Sequence, residues 1–173
     1  MAGTKDVGLY YKVDPSIVGD CIPVATYADA SHEDVGTQSG ISAYIGESVV
    51  DWRSTRQQLV AFNAAEAEVN ALATGEAMHH SLLATLESVE LTCTNVLWGD
   101  NTAANLLAVG QGYWRTRGLS TKVNAIKSRV RRNMLDLKQI GTTDQRGDGL
   151  TKSGGPKEIQ HFRDHLGLRV INS

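Results

Sequence analysis

Ile22-Pro23-Val24-Ala25-Thr26-Tyr27-Ala28-Asp29 is a mostly apolar run that predicts a β-strand from Ile22 to Ala28, leading into the carboxylate of Asp29. Three further acids stand in contexts that present a carboxylate at the edge of a packed element: Glu68, Asp100 and Asp148. Carboxylates that folding brings together form a hard-oxygen site suited to magnesium, and pairs of magnesium ions catalyse phosphoryl transfer. The sequence therefore predicts a metal-dependent nuclease.

Other strands are indicated by short apolar runs bounded by turn residues. Gly40 to Gly46 and Ser48 to Trp52 predict a hairpin with its turn at Gly46-Glu47. A strand over Asn95 to Trp98 runs directly toward Asp100. Further strands are predicted at Gly8 to Val13, at Gln57 to Phe62 and around Leu135, Leu137 and Ile140.

Helical spacing of apolar residues predicts a long helix from Ala64 to about Leu86, with Asn63 as its N-cap. A helix through Val109 follows Asp100, and Gly110 closes it. The remaining helices are predicted around Leu119, Val123, Ile126 and Val130, at Asp144 to Lys152, and at Pro156 to Leu166, where Gly167 ends the last one.

Length and composition fit one globular domain over residues 1–173, since 41% of the residues are hydrophobic and 21% are charged. No apolar run approaches the roughly 20 residues of a membrane span, and Met1 to Tyr11 lacks the apolar stretch of a signal peptide. We therefore expect no membrane partner and an intracellular location, cytoplasmic or nuclear. Cys21 and Cys93 lack metal-ligand spacing, which favours buried free thiols.

The charges are segregated along the chain. The net charge is −2, yet Arg115 to Lys138 holds eight basic residues and one acid. A basic stripe near an acidic metal pocket suits an enzyme that holds a phosphate backbone. The alternative is that these bases are the solvated face of an amphipathic helix.

Five blocks of residues carry a family resemblance when they are taken in order: Tyr27 to Ala30, Trp52 with Gln57 and Ala64 to Val69, Asp100 to Ala103, Thr121-Lys122, and Asp144 to Lys152. In these blocks the chain resembles the ribonuclease H domain at the C-terminus of copia-type LTR retrotransposon polyproteins. The match runs from about residue 8 to residue 168.

The resemblance implies an α/β, ribonuclease H-like fold with a mixed five-stranded sheet, in which three antiparallel strands are followed by parallel ones and helices flank the sheet. It implies an endonuclease that hydrolyses the RNA strand of RNA–DNA hybrids and leaves 5′-phosphates, using two Mg²⁺ ions, with Mn²⁺ as a substitute. The catalytic residues and metal ligands would be Asp29, Glu68, Asp100 and Asp148. The partners would be the hybrid and a reverse transcriptase polymerase domain in the same polyprotein.

Glu68 is preferred to Glu66 because the apolar helix run that follows the family's catalytic Glu begins here at Val69. Glu66 points about 200° away around the helix, so we expect it in solvent or paired with a nearby base. The chain departs from the family pattern after Lys122, where a His and an Asp are missing. Gly147 and Gly149 replace an apolar pair beside Asp148, which predicts a loosened helix and a mobile ligand before metal and substrate bind.

Substrate contacts are predicted from side-chain chemistry. A site that hydrogen-bonds 2′-hydroxyls can require RNA on the cut strand, and the candidate donors are Ser31, Gln57, Asn101 and Thr102. The candidate phosphate contacts are Lys122, Lys127, Arg129, Arg131 and Arg132.

Several residues invite a functional interpretation, but for most of them a structural role is favoured. We expect Trp52 and Trp98 in the core and His79-His80 in a packing or surface role, whereas Tyr113-Trp114 stays open between stacking on substrate and anchoring a loop. Two other functions are considered: a captured domain that binds nucleic acid or supports an assembly without cutting, and a sister enzyme such as a resolvase or an integrase-like transferase.

Overall fold

The computed structural model describes residues 6–11, 21–33, 36–58, 61, 63–102, 105, 117–152 and 154–170. Two sheets are formed. A two-stranded antiparallel sheet pairs β1 (Val7–Leu9) with β7 (Leu168–Val170). The main sheet has the order β4-β3-β2-β5-β6, made of β2 (Val24–Glu33), β3 (Gly36–Ile45), β4 (Ser48–Arg56), β5 (Val96–Gly99) and β6 (Asp136–Gln139).

The strand pairing of the main sheet confirms the predicted architecture. β2, β3 and β4 are antiparallel neighbours, while β5 pairs parallel with β2 and β6 pairs parallel with β5. β2 is central and continues past Asp29 to Glu33, so Asp29 lies inside the strand, opposite Gly40, rather than at its end. The longer strand follows from its pairing, since β3 offers a partner for every residue from Val24 to Glu33.

One face of the sheet is covered by α1 (Ala64–Glu87) and α2 (Arg117–Arg131). Asn63 caps α1 as predicted, because its Oδ1 accepts from the Glu66 amide at 2.9 Å. The apolar stripe predicted for α2 is also confirmed. The core on this face contains Ala28, Ile41, Leu97, Val69, Leu72, Leu119, Val123 and Ile126.

The opposite face is covered by residues that follow β6. Tyr27 and Tyr44 of the sheet pack with Leu166, at the end of α3 (Pro156–His165). Gly167, at φ +68°, ends this helix as predicted. The sequence did not predict β7, which follows at once and pairs with β1.

Two predicted elements are wrong. The strand predicted over Gln57 to Phe62 is not formed at the described residues 57, 58 and 61, since β4 ends at Arg56 and the Gln57 backbone N–H makes one last bond to β3, to the Thr37 carbonyl at 2.8 Å. Asp144 to Lys152 forms no single helix but two 3₁₀ turns, Thr142–Asp144 and Asp148–Leu150. Residues 106–110, which carry most of the helix predicted after Asp100, and Tyr113-Trp114 lie outside the described residues.

Some side-chain expectations also need correction. Trp52 is 50% exposed because it lies on the edge strand β4, whereas Trp98 is half-buried and stacks on Tyr27. Cys21 and Cys93 are free, as predicted, but they are not buried: Cys21 is exposed and Cys93 is half-buried, outside the named strands. His79 is buried and bonded to Thr26, which confirms a packing role.

No helix in the described part of the chain combines the length and hydropathy of a membrane span.

Candidate metal centre

Three carboxylates from three elements converge at one point. Asp29 comes from β2, Glu68 from the second turn of α1, and Asp100 directly follows β5. Because Tyr27 and Trp98 are partners in the parallel pair of β2 and β5, the positions two residues further on lie level with each other. Each acid offers an oxygen atom, and these oxygens all lie within 4.8 Å of one another. We call Asp29, Glu68 and Asp100 the acidic triad.

The triad is electrostatically unfavourable without a cation. Asp29 and Glu68 are buried, at 2% and 7% exposure. Burial, reinforced by the charges of Asp100 and Asp148, raises the pKa of Asp29 to about 6, although a hydrogen bond from Thr151 acts in the opposite direction. Burial and the charges of Asp29 and Asp100 raise the pKa of Glu68 to about 9. Burial also raises the pKa of Asp100.

These carboxylates fit a divalent metal. Hard oxygen ligands are what Mg²⁺ and Mn²⁺ bind, and a cation among them removes the repulsion that raises their pKa values. The acidic triad can therefore hold a divalent ion.

Asp148 lies beside the triad on the opposite face of the sheet from α1. Its charge raises the pKa of both Asp29 and Asp100, and its carboxylate is paired with the ammonium of Lys152. The Thr151 hydroxyl donates to Asp29 Oδ2 at 2.6 Å and lies 2.9 Å from the Asp148 carbonyl oxygen. Lys152 and Thr151 thus connect Asp148 to the triad.

The segment that carries Asp148 is fixed to the sheet by buried contacts. Gln145, which is 2% exposed, donates to the Ala28 carbonyl at 3.0 Å and accepts from the Gly147 amide at 3.1 Å. A Cβ atom on Gly40 would lie 2.5 Å from the Gly147 carbonyl oxygen. A Cβ on Gly147 would likewise lie 2.9 Å from the Gly40 carbonyl oxygen, so both glycines allow the close backbone approach. The predicted loosening of a helix does not apply, since these residues form a packed 3₁₀ turn instead.

Arg146 adds a second anchor for the same segment. Its guanidinium lies 5.2 Å from the ring centre of Tyr27 and 4.6 Å from that of Tyr44, and it pairs with Glu47 at 2.9 Å. Sequence reasoning missed Gln145, Arg146, Thr151 and Lys152, although all four lie in the block that carried the resemblance around Asp148.

Glu66 is 6% exposed, which contradicts the expectation that it lies in solvent. Helix geometry gives the direction of this side chain around α1 but not what packs against it, and the alternative of a pairing with a nearby base stays a prediction.

The predicted 2′-hydroxyl donors have different surroundings. Ser31 is buried on β2, two residues beyond Asp29. Asn101 and Thr102 follow Asp100, and the Thr102 hydroxyl accepts from Gln139 at 2.6 Å. The Gln57 amide group donates to Ser39 Oγ and to the Ala67 carbonyl, both at 2.8 Å.

The predicted phosphate contacts divide into two groups. Lys122 donates to Asn70 Oδ1 at 2.7 Å, and Arg129 pairs with Glu76 at 2.5 Å, so both make contacts inside the protein. Arg131 and Arg132 are exposed, and Lys127 is half-exposed.

No known protein-family model matches the chain. It is 26% identical over 178 residues to the retrovirus-related Pol polyprotein from transposon RE1 of Arabidopsis thaliana, an alignment that covers 99% of this chain and 12% of that protein. The corresponding polyprotein from transposon RE2 is also 26% identical, over 175 residues, covering 97% of this chain and 12% of its own length. The chain is a homologue of retrotransposon Pol polyproteins. It spans about 12% of the length of these curated relatives.

Solved structures with the same fold are ribonuclease H domains. LC11-RNase H1, isolated from compost by a metagenomic approach, matches with a TM-score of 0.54 and 16% identity over 75% of this chain and 91% of that one. The N-terminal RNase H domain of a Mycobacterium tuberculosis protein matches with a TM-score of 0.51 and 13% identity, covering 83% and 96% of the two chains. LC11-RNase H1 has also been solved in complex with an RNA/DNA hybrid, and that structure matches with a TM-score of 0.54 and 14% identity over 75% and 92%. The fold of this chain is therefore the ribonuclease H fold, as the resemblance implied.

Proposed function

We propose that the chain is a ribonuclease H, an endonuclease that hydrolyses the RNA strand of RNA–DNA hybrids and leaves 5′-phosphates. The observation that carries this proposal is the acidic triad, whose carboxylate oxygens lie within 4.8 Å of one another on a ribonuclease H fold. Homology to retrotransposon Pol polyproteins and the hybrid complex of a protein with the same fold support the substrate class.

In this proposal, Asp29, Glu68, Asp100 and Asp148 are the catalytic residues and hold two Mg²⁺ ions, which Mn²⁺ can replace. When bound, such a pair of ions lowers the pKa of a water and offsets the charge on a phosphate under attack. Asp29 is the central ligand, because the triad shares it with the Thr151 hydroxyl of the Asp148 segment. Lys152 orients Asp148 through their ion pair.

Substrate binding follows from which groups remain at the surface. Asn101 and Thr102, next to Asp100, are proposed to contact 2′-hydroxyls, whereas Ser31, two residues beyond Asp29 on β2, is buried and is not among these surface groups. Lys127, Arg131 and Arg132 on and after α2 are proposed to contact phosphates. Because the curated relatives are far longer than this chain, we propose that it acts as one domain of a polyprotein that also holds a polymerase.

The proposal is tested by titrating Mg²⁺ against three labelled duplexes: an RNA–DNA hybrid, double-stranded DNA and double-stranded RNA. We expect metal-dependent cleavage of the RNA strand of the hybrid alone. Cleavage of double-stranded DNA would indicate a sister enzyme on the same fold. Hybrid binding without cleavage at any metal concentration would indicate a captured, non-cleaving domain, and either result rejects ribonuclease H activity.

A further inference from the structure

A line of hydrogen bonds connects α2 to the first turns of α1 and to the sheet. Lys122 of α2 donates to Asn70 Oδ1 at 2.7 Å, and Asn70 Nδ2 donates to Gln57 Oε1 at 3.2 Å. Gln57 Nε2 in turn donates to Ser39 Oγ and to the Ala67 carbonyl, each at 2.8 Å. We call Lys122, Asn70, Gln57 and Ser39 the Lys122 relay.

The far end of the relay contacts the backbone next to two of the proposed catalytic residues, Glu68 and Asp29. Ala67 immediately precedes Glu68, so a hydrogen bond to its carbonyl fixes the turn from which the Glu68 side chain projects. Ser39 immediately precedes Gly40, the β3 partner of Asp29. The relay therefore joins the backbone under Glu68 to the backbone beside Asp29.

The middle of the relay is buried in the protein. Ser39 and Asn70 are buried, at 3% and 5% exposure, whereas Gln57 and Lys122 at either end of Asn70 are half-buried. Amide groups buried in this way depend on their partners for orientation, because an amide that loses one partner can flip or leave the rest unpaired. Lys122 donates to the Asn70 carbonyl oxygen, which directs the Asn70 NH₂ group to Gln57 and thereby the Gln57 NH₂ group to Ala67.

We propose that Lys122 is a positioning residue for Glu68, acting through Asn70 and Gln57, and not a contact to the substrate phosphates. This inference rests on the proposed function. Catalysis depends steeply on the placement of a reacting group, since a shift of about 1 Å can lower the rate on the order of 10²-fold. The helix that carries the basic residues would thus set the geometry of the metal centre as well as approach the nucleic acid.

The test compares Lys122→Met with Lys127→Met, which removes a half-exposed base from the same helix. Mg²⁺ affinity is measured by calorimetry without nucleic acid, hybrid affinity is measured at several salt concentrations, and kcat and KM are measured at saturating Mg²⁺. We expect Lys122→Met to weaken Mg²⁺ binding several-fold and to lower kcat about tenfold or more, with little change in KM or in the salt slope. Lys127→Met should weaken hybrid binding and reduce the salt slope by about one, with Mg²⁺ affinity at the wild-type value.

Two results would overturn the proposal. One is a Lys122→Met protein with wild-type Mg²⁺ affinity and a reduced salt slope, which is the behaviour of a phosphate contact. The other is a folded Lys122→Met protein with no change in any of these quantities. If Lys122→Met does not fold, Gln57→Met removes the donor to Ala67 while keeping Lys122, and the proposal requires the same loss of Mg²⁺ affinity and kcat. If the wild-type protein does not cut the hybrid, ribonuclease H activity is rejected, whereas the calorimetric comparison still decides whether the relay shapes the metal centre.

Discussion

The two faces of the sheet hold their carboxylates by different means. On the α1 face, Glu68 projects from a 24-residue helix with a side-chain cap, and its backbone is fixed by the Lys122 relay. On the other face, Asp148 stands in a 3₁₀ turn of three residues, held by Gln145, Arg146 and close glycine contacts. One side depends on regular secondary structure and the other on individual contacts, so the Asp148 side should be more sensitive to small changes in packing.

Asp29 belongs to both sides, and its substitution should have the largest effect. Asp29→Asn removes the negative charge that Asp29 contributes to the acidic triad and presents to the Thr151 hydroxyl. We therefore expect turnover to fall roughly 10³-fold or more, while hybrid affinity is retained. Single-turnover cleavage and a binding titration on the same preparation measure both quantities. The matched control is Asp51→Asn, which removes an exposed acid from β4 and should cut at the wild-type rate. Loss of hybrid affinity in Asp29→Asn would contradict a purely catalytic role.

A substitution at the contact between Gly40 and Gly147 tests the Asp148 side of the sheet without changing any acid. In Gly40→Ala the new Cβ would meet the Gly147 backbone at 2.5 Å, so the Asp148 segment must move. We expect the free energy of unfolding to fall by about 1–3 kcal/mol, with a loss of turnover of about tenfold. Urea denaturation and hybrid cleavage provide the two measurements.

The control for Gly40→Ala is Gly141→Ala, because a Cβ on Gly141 meets nothing within 4 Å. Its free energy of unfolding should stay within about 0.5 kcal/mol of wild type. Equal effects of the two alanines would show that the close approach of Gly147 to the sheet does not matter for stability or activity.

The smallest effect is expected from the buried carboxyl of Glu68 on the α1 side. In the absence of metal, this group should make the free energy of unfolding depend on pH. The pKa of Glu68 is about 9 in the folded protein and 4.5 in an ordinary glutamate, so the folded state holds an extra proton between these values and loses stability as pH rises toward 9. Between pH 6.5 and 9 we expect the free energy of unfolding to fall on the order of 2 kcal/mol more in wild type than in Glu68→Gln. This window avoids His79, whose pKa is lowered by burial to about 4.

Urea denaturation at the two pH values, with and without saturating Mg²⁺, measures this difference. A bound cation keeps Glu68 ionised, so Mg²⁺ should remove most of the loss. Parallel pH profiles for wild type and Glu68→Gln in the absence of metal would mean that Glu68 is not the group that holds the proton.

The features that could be predicted from the sequence are those set by local pattern. The helical spacing from Ala64, the cap at Asn63 and the hairpin around Gly46 each depend on neighbouring residues, and all three are present. The resemblance gave the mixed five-stranded sheet, with antiparallel strands followed by parallel ones, and the acids that meet in the triad.

The features that could not be predicted depend on partners far apart in the chain. The Gln57 side chain bonds both to Ser39 of β3 and to a carbonyl of α1, and the pairing of β7 with β1 joins opposite ends of the described chain. Gly147 was interpreted through helix propensity. The reason for a glycine at this position is instead its close contact with Gly40, which lies on β3. The burial of Glu66 was likewise not predicted, because helix periodicity contains no information on what the rest of the chain places against α1.

The small sheet of β1 and β7 makes the Asp148 side dependent on residues at the other end of the chain. Val7 pairs with Val170, and β7 follows α3, whose Phe162 packs on Gly149 next to Asp148. Removal of β1 would leave β7 without its strand partner and would weaken the anchor at the C-terminal end of α3. A shift of α3 would displace Phe162 and, through its contact with Gly149, the Asp148 carboxylate. We therefore expect activity to depend on a strand that lies far from every acid of the metal centre.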